Sequence, residues 1–421
     1  MRDGGRIAAA IEVLDDMDQR HKPARLALKS WGDGARYAGA KDRAFVSGLV
    51  LDALRRKRSL AWAMGEDSNR ARVLGALRLA WDWPLERLAA AAGEEHGPGA
   101  LTEGEQARLT APQSLDNAPD AVRGDYPDWA DAALERVFGA ERGGEAKALA
   151  QRAPVDLRAN TLKSDVVHVL KALETFGPIE AGMTPNAVRI PAPAASERAA
   201  PVEASPAFEK GWFEVQDLGS QIAAACAGTI KGKQVLDFCA GGGGKTLALA
   251  AAMGNSGQLY AYDSDARRLT DTVRRSQRAG VRNLQIRSPI EKDPLRGLDG
   301  KMDLVFVDAP CTGSGTWRRN PDAKWRLTAE QLERRMAEQD AALDGAAAFV
   351  KPGGRLVYVT CSLFAEENED RVAAFLARTP GFAVVPAAGP ADAFLTGEGF
   401  LRLTPRSAGT DGFFVAVMAR G

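Results

Sequence analysis

Two cysteines and an aspartate are the side chains with the clearest chemical potential. Asp308 closes the apolar run Asp303-Leu304-Val305-Phe306-Val307 and is followed by Ala309-Pro310-Cys311-Thr312-Gly313. A second run, Arg355-Leu356-Val357-Tyr358-Val359-Thr360, ends in Cys361-Ser362. Both read as buried strands, and in sheets of alternating strands and helices the carboxyl strand ends converge on a ligand crevice. Two thiols and one carboxylate are therefore expected to meet. A lone cysteine at a strand end is usually a small buried hydrophobe; two beside a carboxylate are harder to explain as packing. Such a set suits methylation at carbon. Carbon 5 of a pyrimidine is a poor nucleophile until a thiolate adds to carbon 6 and makes it enamine-like. An acid near N3 stabilises the developing charge, a base then removes the carbon-5 proton, and the thiol leaves. Methylation of an amino nitrogen needs no thiol.

The element that would position these groups is Val235-Leu236-Asp237-Phe238-Cys239-Ala240-Gly241-Gly242-Gly243-Gly244-Lys245-Thr246. It reads as a strand, a glycine turn and a helix opening near Lys245, so that backbone N–H groups face a ligand. A P-loop would need glycine where Cys239 stands, and a dinucleotide fingerprint would need it where Thr246 stands. The remaining reading is the Asp-x-x-x-Gly loop of S-adenosylmethionine-dependent methyltransferases. Asp263 ends the next strand, about 20 residues on, where a carboxylate can bind ribose hydroxyls; with Ser264 and Asp265 it also reads as the start of a helix.

Asp308-Ala309-Pro310-Cys311, Thr360-Cys361-Ser362 and the loop Cys239–Thr246 resemble the Nol/Nop/Sun family of RNA cytosine-5 methyltransferases. The likeness runs from about Ala153 onward and includes Gln216-Asp217-Leu218-Gly219-Ser220-Gln221 and Asp411-Gly412-Phe413-Phe414. With the helical N-terminal part added, the whole chain is similar to the bacterial small-subunit ribosomal RNA branch. The resemblance implies Cys361 as nucleophile and Cys311 as the group assisting product release. It implies that Asp308 holds the cytosine N3/N4 edge, with Lys245 near the base. Cytosine-5 DNA methyltransferases use the cysteine of their Pro-Cys motif instead, which makes Cys311 the alternative nucleophile. S-adenosylmethionine is the implied cofactor, held by Cys239, Ala240, Gly241, Gly242, Gly243, Gly244, Lys245, Asp263, Ser288 and Asp308. Two departures stand out. The family's Ala-Pro-Gly-Gly-Lys-Thr is here Gly241-Gly242-Gly243-Gly244-Lys245-Thr246, a more flexible loop. Its acidic residue near the adenine is replaced by Arg287-Ser288-Pro289. These departures motivate a competing reading, a ribosome-assembly RNA-binding protein with impaired catalysis; transfer RNA is a competing substrate.

From Lys233 onward strands and helices alternate, the mark of a doubly wound, Rossmann-like α/β sheet. The expected strands are 234–238, 258–262, 283–286, 303–307, 355–359 and 413–418. Thr328-Ala329-Glu330-Gln331 is a capping box opening a helix to Val350, ended by Lys351-Pro352-Gly353-Gly354. Three domains are expected: an all-helical, antitermination-factor-like RNA-binding domain over 1–140, a small α+β RNA-binding module over 150–215, and the methyltransferase domain over 216–421. A Pro/Ala-rich linker lies between Pro191 and Pro206. Arg55-Arg56-Lys57-Arg58 reads either as a solvated helix end or as RNA contact. Trp317-Arg318-Arg319-Asn320-Pro321-Asp322-Ala323-Lys324-Trp325-Arg326 interleaves rings and cations in a way that suits base stacking and phosphate binding. Arg267, Arg268, Arg274, Arg275 and Arg278 read as a solvated helix face.

The 421 residues carry 55 basic and 55 acidic side chains, so RNA affinity must come from local patches. Cys226, Cys239, Cys311 and Cys361 form no CxxC pair, which argues against a disulfide framework or zinc cage; no metal site is expected. His21, His96 and His168 lie outside the chemical stretch and read as filler. With no membrane-length apolar run and no signal-peptide core before Leu14-Asp15-Asp16, a cytoplasmic monomer is expected.

Overall fold

The computed structural model describes residues 1–421 except Ser196, Arg198, Ala388, Pro390 and Ala391. The expected linker between Pro191 and Pro206 thus falls partly outside the described residues. Two compact units are present. One comprises Met1–Arg152, Ala192–Ala199 and Trp317–Leu327; the other comprises Ala153–Pro191, Ala200–Thr316 and Thr328–Gly421.

The first unit is helical. Helix Asp3–Arg20 buries Ile7, Ala10, Val13, Leu14 and Met17, a three-and-four spacing that lines one face. Helix Ala40–Arg55 adds Phe45, Val46, Leu49, Val50 and Ala53 to the same core. Pro84 precedes helix Leu85–Ala92, where its missing N–H costs nothing. The two basic stretches differ from expectation here. Arg55 is only 7% exposed; it donates to Asp52 at 2.7 Å and to the Arg318 carbonyl at 3.0 Å. Lys324 is 1% exposed and donates to the Arg55 carbonyl at 3.1 Å, while Trp325 Nε1 donates to the Leu54 carbonyl at 2.7 Å. Trp317 is buried as well. The ring-and-cation run is therefore largely an internal fastening of the helical unit, not an open stacking platform. Buried cations need partners, and a helix C-terminus supplies its unpaired carbonyls.

The second unit holds two sheets. The smaller has the order β2-β3-β1-β4, with β1 Val155–Ala159, β2 Ile179–Glu180, β3 Ala187–Ile190 and β4 Phe213–Val215, all antiparallel. The larger runs β10-β12-β9-β8-β5-β6-β7. Its strands are β5 Gln234–Asp237, β6 Gln258–Tyr262, β7 Leu284–Arg287, β8 Met302–Asp308, β9 Val350–Thr360, β10 Phe382–Val385 and β12 Phe413–Arg420; β11 Leu401–Leu403 pairs with β12. Pairs β5/β6, β6/β7, β5/β8 and β8/β9 are parallel, while β12 runs antiparallel to both β9 and β10. This is the expected doubly wound sheet. Alternate residues serve opposite faces: Val235, Leu304, Phe306, Val357 and Val359 enter one core, Leu236, Val305, Val307, Leu356 and Tyr358 the other.

Thr328 accepts from Gln331 N–H at the start of helix Ala329–Ala347 as expected. Lys351-Pro352-Gly353-Gly354, however, belongs to the opening of β9, where the β8/β9 register shifts between Met302 and Leu304. The helix ends three residues earlier than the sequence implied. No helix among the described residues is long and apolar enough to cross a membrane.

Candidate active site

Five parallel strands set their carboxyl ends along one edge, and the chain order reverses at β5, between β6 and β8. That is where α/β sheets bind ligands. Asp237 ends β5, Asp263 follows β6, Ser288 follows β7, Asp308 ends β8 and Cys361 follows β9.

Gly241 and Gly243 have φ of 53° and 81°, backbone states that glycine adopts without strain. A Cβ at Gly243 would lie 2.8 Å from Thr272 Oγ1, whereas one at Gly244 meets nothing within 4 Å. Helix Gly244–Met253 follows directly. Asp263 accepts from Gly241 N–H at 2.8 Å and Asp265 N–H at 2.9 Å, with Arg268 Nη1 3.3 Å away. It is Asp265 that caps the next helix, accepting from Arg267 N–H. Cys239 is half-buried, and desolvation, with the carboxylates of Asp237, Asp263 and Asp308, pushes its thiol up and holds it protonated. Ser288 is half-buried, its N–H 3.4 Å from Glu291 Oε1.

Cys311 Sγ and Cys361 Sγ lie 3.4 Å apart. The neighbouring sulfur and burial push the Cys311 thiol well above its ordinary pKa. Lys245 Nζ donates to Asp308 Oδ2 at 2.7 Å and sits 5.2 Å from the centre of the Phe413 ring. Burial pulls the Lys245 ammonium down, but Asp308 outweighs this and, with Cys361 and Asp237, keeps it raised and charged. The sequence-derived thiols, carboxylate and lysine are thus gathered at one edge, in one unit.

The sequence and the fold resemble those of known proteins. Residues 228–419 match the family described as 16S rRNA methyltransferase RsmB/F. That stretch, just under half of the chain, is similar to the family. The chain is 32% identical over 304 residues to a probable ribosomal RNA small subunit methyltransferase B of Synechocystis sp., covering 69% of this chain and 66% of the relative. Ribosomal RNA small subunit methyltransferase B of Citrobacter koseri is 32% identical over 312 residues, again spanning 66% of that protein. The chain thus aligns with just under two thirds of each relative's length. The solved structure of PH0851 superposes with a TM-score of 0.75 at 26% identity, covering 99% of both chains.

The likeness to RsmB/F leaves the chain's own loop to be explained. The loop lacks proline, yet two side chains of helix Ala266–Ala279 hold it: Thr272 Oγ1 donates to the Gly241 carbonyl at 2.9 Å and Arg275 Nη1 to the Gly242 carbonyl at 2.6 Å. Beneath it, Asp237 is fully buried, with Oδ2 accepting from Thr246 at 2.6 Å and Oδ1 without a partner. An orphaned buried carboxylate oxygen needs a donor. A ligand with a cationic amino-acid tail fits that need, and the open space at Gly244 fits its approach.

Glu367 is a site residue that sequence reasoning missed. Its Oε1 accepts from Thr312 N–H at 2.8 Å and Gln339 Nε2 at 2.9 Å; its Oε2 accepts from Thr312 Oγ1 at 2.5 Å and from Ser362 Oγ. One buried carboxylate thereby ties the residue after Cys311 to the residue after Cys361. Burial pushes its carboxyl above the ordinary value, and the Ser362, Thr312 and Gln339 hydrogen bonds pull it part of the way back. The only sequence signal was an acidic run, Glu366-Glu367-Asn368-Glu369-Asp370, indistinguishable from a solvated helix start.

Proposed function

We propose that the chain transfers a methyl group from S-adenosylmethionine to carbon 5 of cytosine in RNA, with 16S ribosomal RNA as substrate. The observation that carries this reading is the 3.4 Å approach of the Cys311 and Cys361 sulfurs at strand ends beside the Asp308–Lys245 pair. Nitrogen or oxygen methylation would leave both thiols without a task. The methyl donor is S-adenosylmethionine, held by the loop Cys239–Lys245, with Asp263 and Asp308 at its border; bound there it supplies an electrophilic methyl group.

Cys361, as thiolate, forms a bond to carbon 6 of a cytosine flipped out of its stack, and the displaced electron pair makes carbon 5 nucleophilic. Asp308 holds the N3/N4 edge of the base. The Lys245 ammonium, 2.7 Å from Asp308 Oδ2, fixes the direction of that carboxylate beside the base. Once carbon 5 carries the methyl group, its proton leaves to a base and the sulfur–carbon bond breaks. Cys311, kept as a thiol, donates its S–H to the departing Cys361 sulfur.

Two variants test these roles with RNA from small ribosomal subunits and radiolabelled donor. Cys361→Ala is expected to abolish methyl transfer. Cys311→Ala is expected to accumulate a covalent RNA–protein adduct, seen as a shifted band on a denaturing gel. An adduct from Cys361→Ala instead would reverse the roles, and full activity in that variant would reject the mechanism.

A further inference from the structure

The tetraglycine loop has the highest backbone freedom of any ligand loop of its length, and ordering it on binding costs affinity. Something outside the loop has to hold it. Arg275 reaches in two directions: Nη1 to the Gly242 carbonyl at 2.6 Å, and Nε and Nη2 to Glu214 Oε2 at 3.2 and 2.9 Å. Glu214 lies in β4 of the small sheet, is 2% exposed, and is also bonded to Arg278 Nη2 at 2.6 Å. The guanidinium fork is rigid and charge-assisted, and its other anchor is a strand of a different sheet. Thr272 holds the adjacent carbonyl of Gly241. With two successive carbonyls pinned from behind, the loop is held ready for a ligand before one arrives.

We propose that Arg275, braced by Glu214, is the positioning residue that preorganises the methyl-donor loop, replacing the rigidity that a proline at position 242 would supply. This rests on the reading of the loop as the donor site. The substitution that tests the equivalence is sterically open. Gly242 does not have positive φ, a Cβ there would lie 3.7 Å from Arg275 Nη1, and the turn is closed by Gly243 N–H on the Ala240 carbonyl, not by Gly242 N–H.

The experiment is calorimetric binding of S-adenosylmethionine and S-adenosylhomocysteine to the full chain, with thermal melts alongside. Arg275→Met keeps the stem and removes the fork; without its charge-assisted hydrogen bond to the loop, binding is expected to weaken by about tenfold. Thr272→Val is expected to weaken it less, by about threefold. The double variant Arg275→Met/Gly242→Pro is expected to recover at least half of the missing affinity, although it restores neither the hydrogen bond nor the Glu214 pair. Recovery of affinity without recovery of melting temperature separates loop ordering from general stability. Unchanged binding in Arg275→Met, or no recovery on adding Gly242→Pro, would overturn the proposal. An unaltered chain that binds neither ligand would remove the donor-site reading itself, and the brace with it.

Discussion

Asp237 shows how much a single buried oxygen can set. Its carboxyl is pushed up to about 7, chiefly by burial, with the Thr246 hydrogen bond opposing and the carboxylates of Asp308 and Asp263 adding to the rise. A folded-state pKa above the unfolded value means that the stability tied to this group is complete below the unfolded pKa of 3.8 and is lost as pH rises through about 7. Asp237→Asn keeps an acceptor for Thr246 and cannot ionise. Its melting temperature should therefore fall less than that of the unaltered chain between about pH 4 and pH 8. Melting curves across that range check this; parallel behaviour of the two chains would mean that Asp237 is already ionised in the fold. The sequence placed Asp237 at the end of the organising strand but held no sign of its burial, which depends on β6 and β8 flanking it.

Among the elements, two loops have to arrive together, because β8 and β9 each deliver one thiol. Adjacent parallel strands bring them near, and the register Asp308↔Val359 places Cys311 and Cys361 beyond matched ends. Register alone leaves loops several residues long free to wander; Glu367 removes that freedom by accepting from both. Glu367→Gln puts an NH2 group where donors converge, leaving buried donors unpaired at about 1–3 kcal/mol. Methyl transfer should drop by more than about tenfold while donor affinity stays near its original value, since loop misplacement is felt in the chemical step. A rate assay paired with calorimetry reads the two quantities separately, and unaltered turnover would argue against a positioning role. The strands carrying the thiols were legible because four apolar residues run uninterrupted in each, Leu304–Val307 and Leu356–Val359. The short β10 and β11 were not, since three or four residues near Pro and Gly give too little periodicity to detect. Pairings such as Glu214 with Arg275 span 61 residues. A helix with five arginines therefore looked uniformly solvated, although Arg267 and Arg274 are exposed while Arg275 and Arg278 turn inward.

For the whole molecule, the notable feature is how composition misleads. Equal numbers of basic and acidic residues were read as leaving RNA contact to local patches, and the two most obvious patches turn out to hold the helical unit together. Lys324 is paired electrostatically with buried Asp125, and burial draws its ammonium down to about 8. The segment Trp317–Leu327 takes its partners from residues 1–152. A shortened chain of residues 153–421 would leave Trp325 without the apolar core it packs on and Lys324 without its acceptor. Such a chain is expected to melt lower and to self-associate, measured by thermal scanning and gel filtration. An equally stable monomer would show that the segment finds another place to pack.

One consequence concerns synthesis. Gly412 N–H donates to the Gly315 carbonyl at 2.8 Å, Gly315 N–H donates to the Cys361 carbonyl at 3.0 Å, and the two glycines touch so closely that a Cβ at Gly315 would come 2.4 Å from the Gly412 carbonyl oxygen. The start of β12 is thereby buttoned to the Cys361 peptide, while the rest of β12 fills the gap between β9 and β10. A ribosome that stopped short of Phe413 would release a polypeptide with a raw, sticky sheet margin and a loosened sulfur. Premature termination there would yield a protein prone to clumping, not a weaker catalyst.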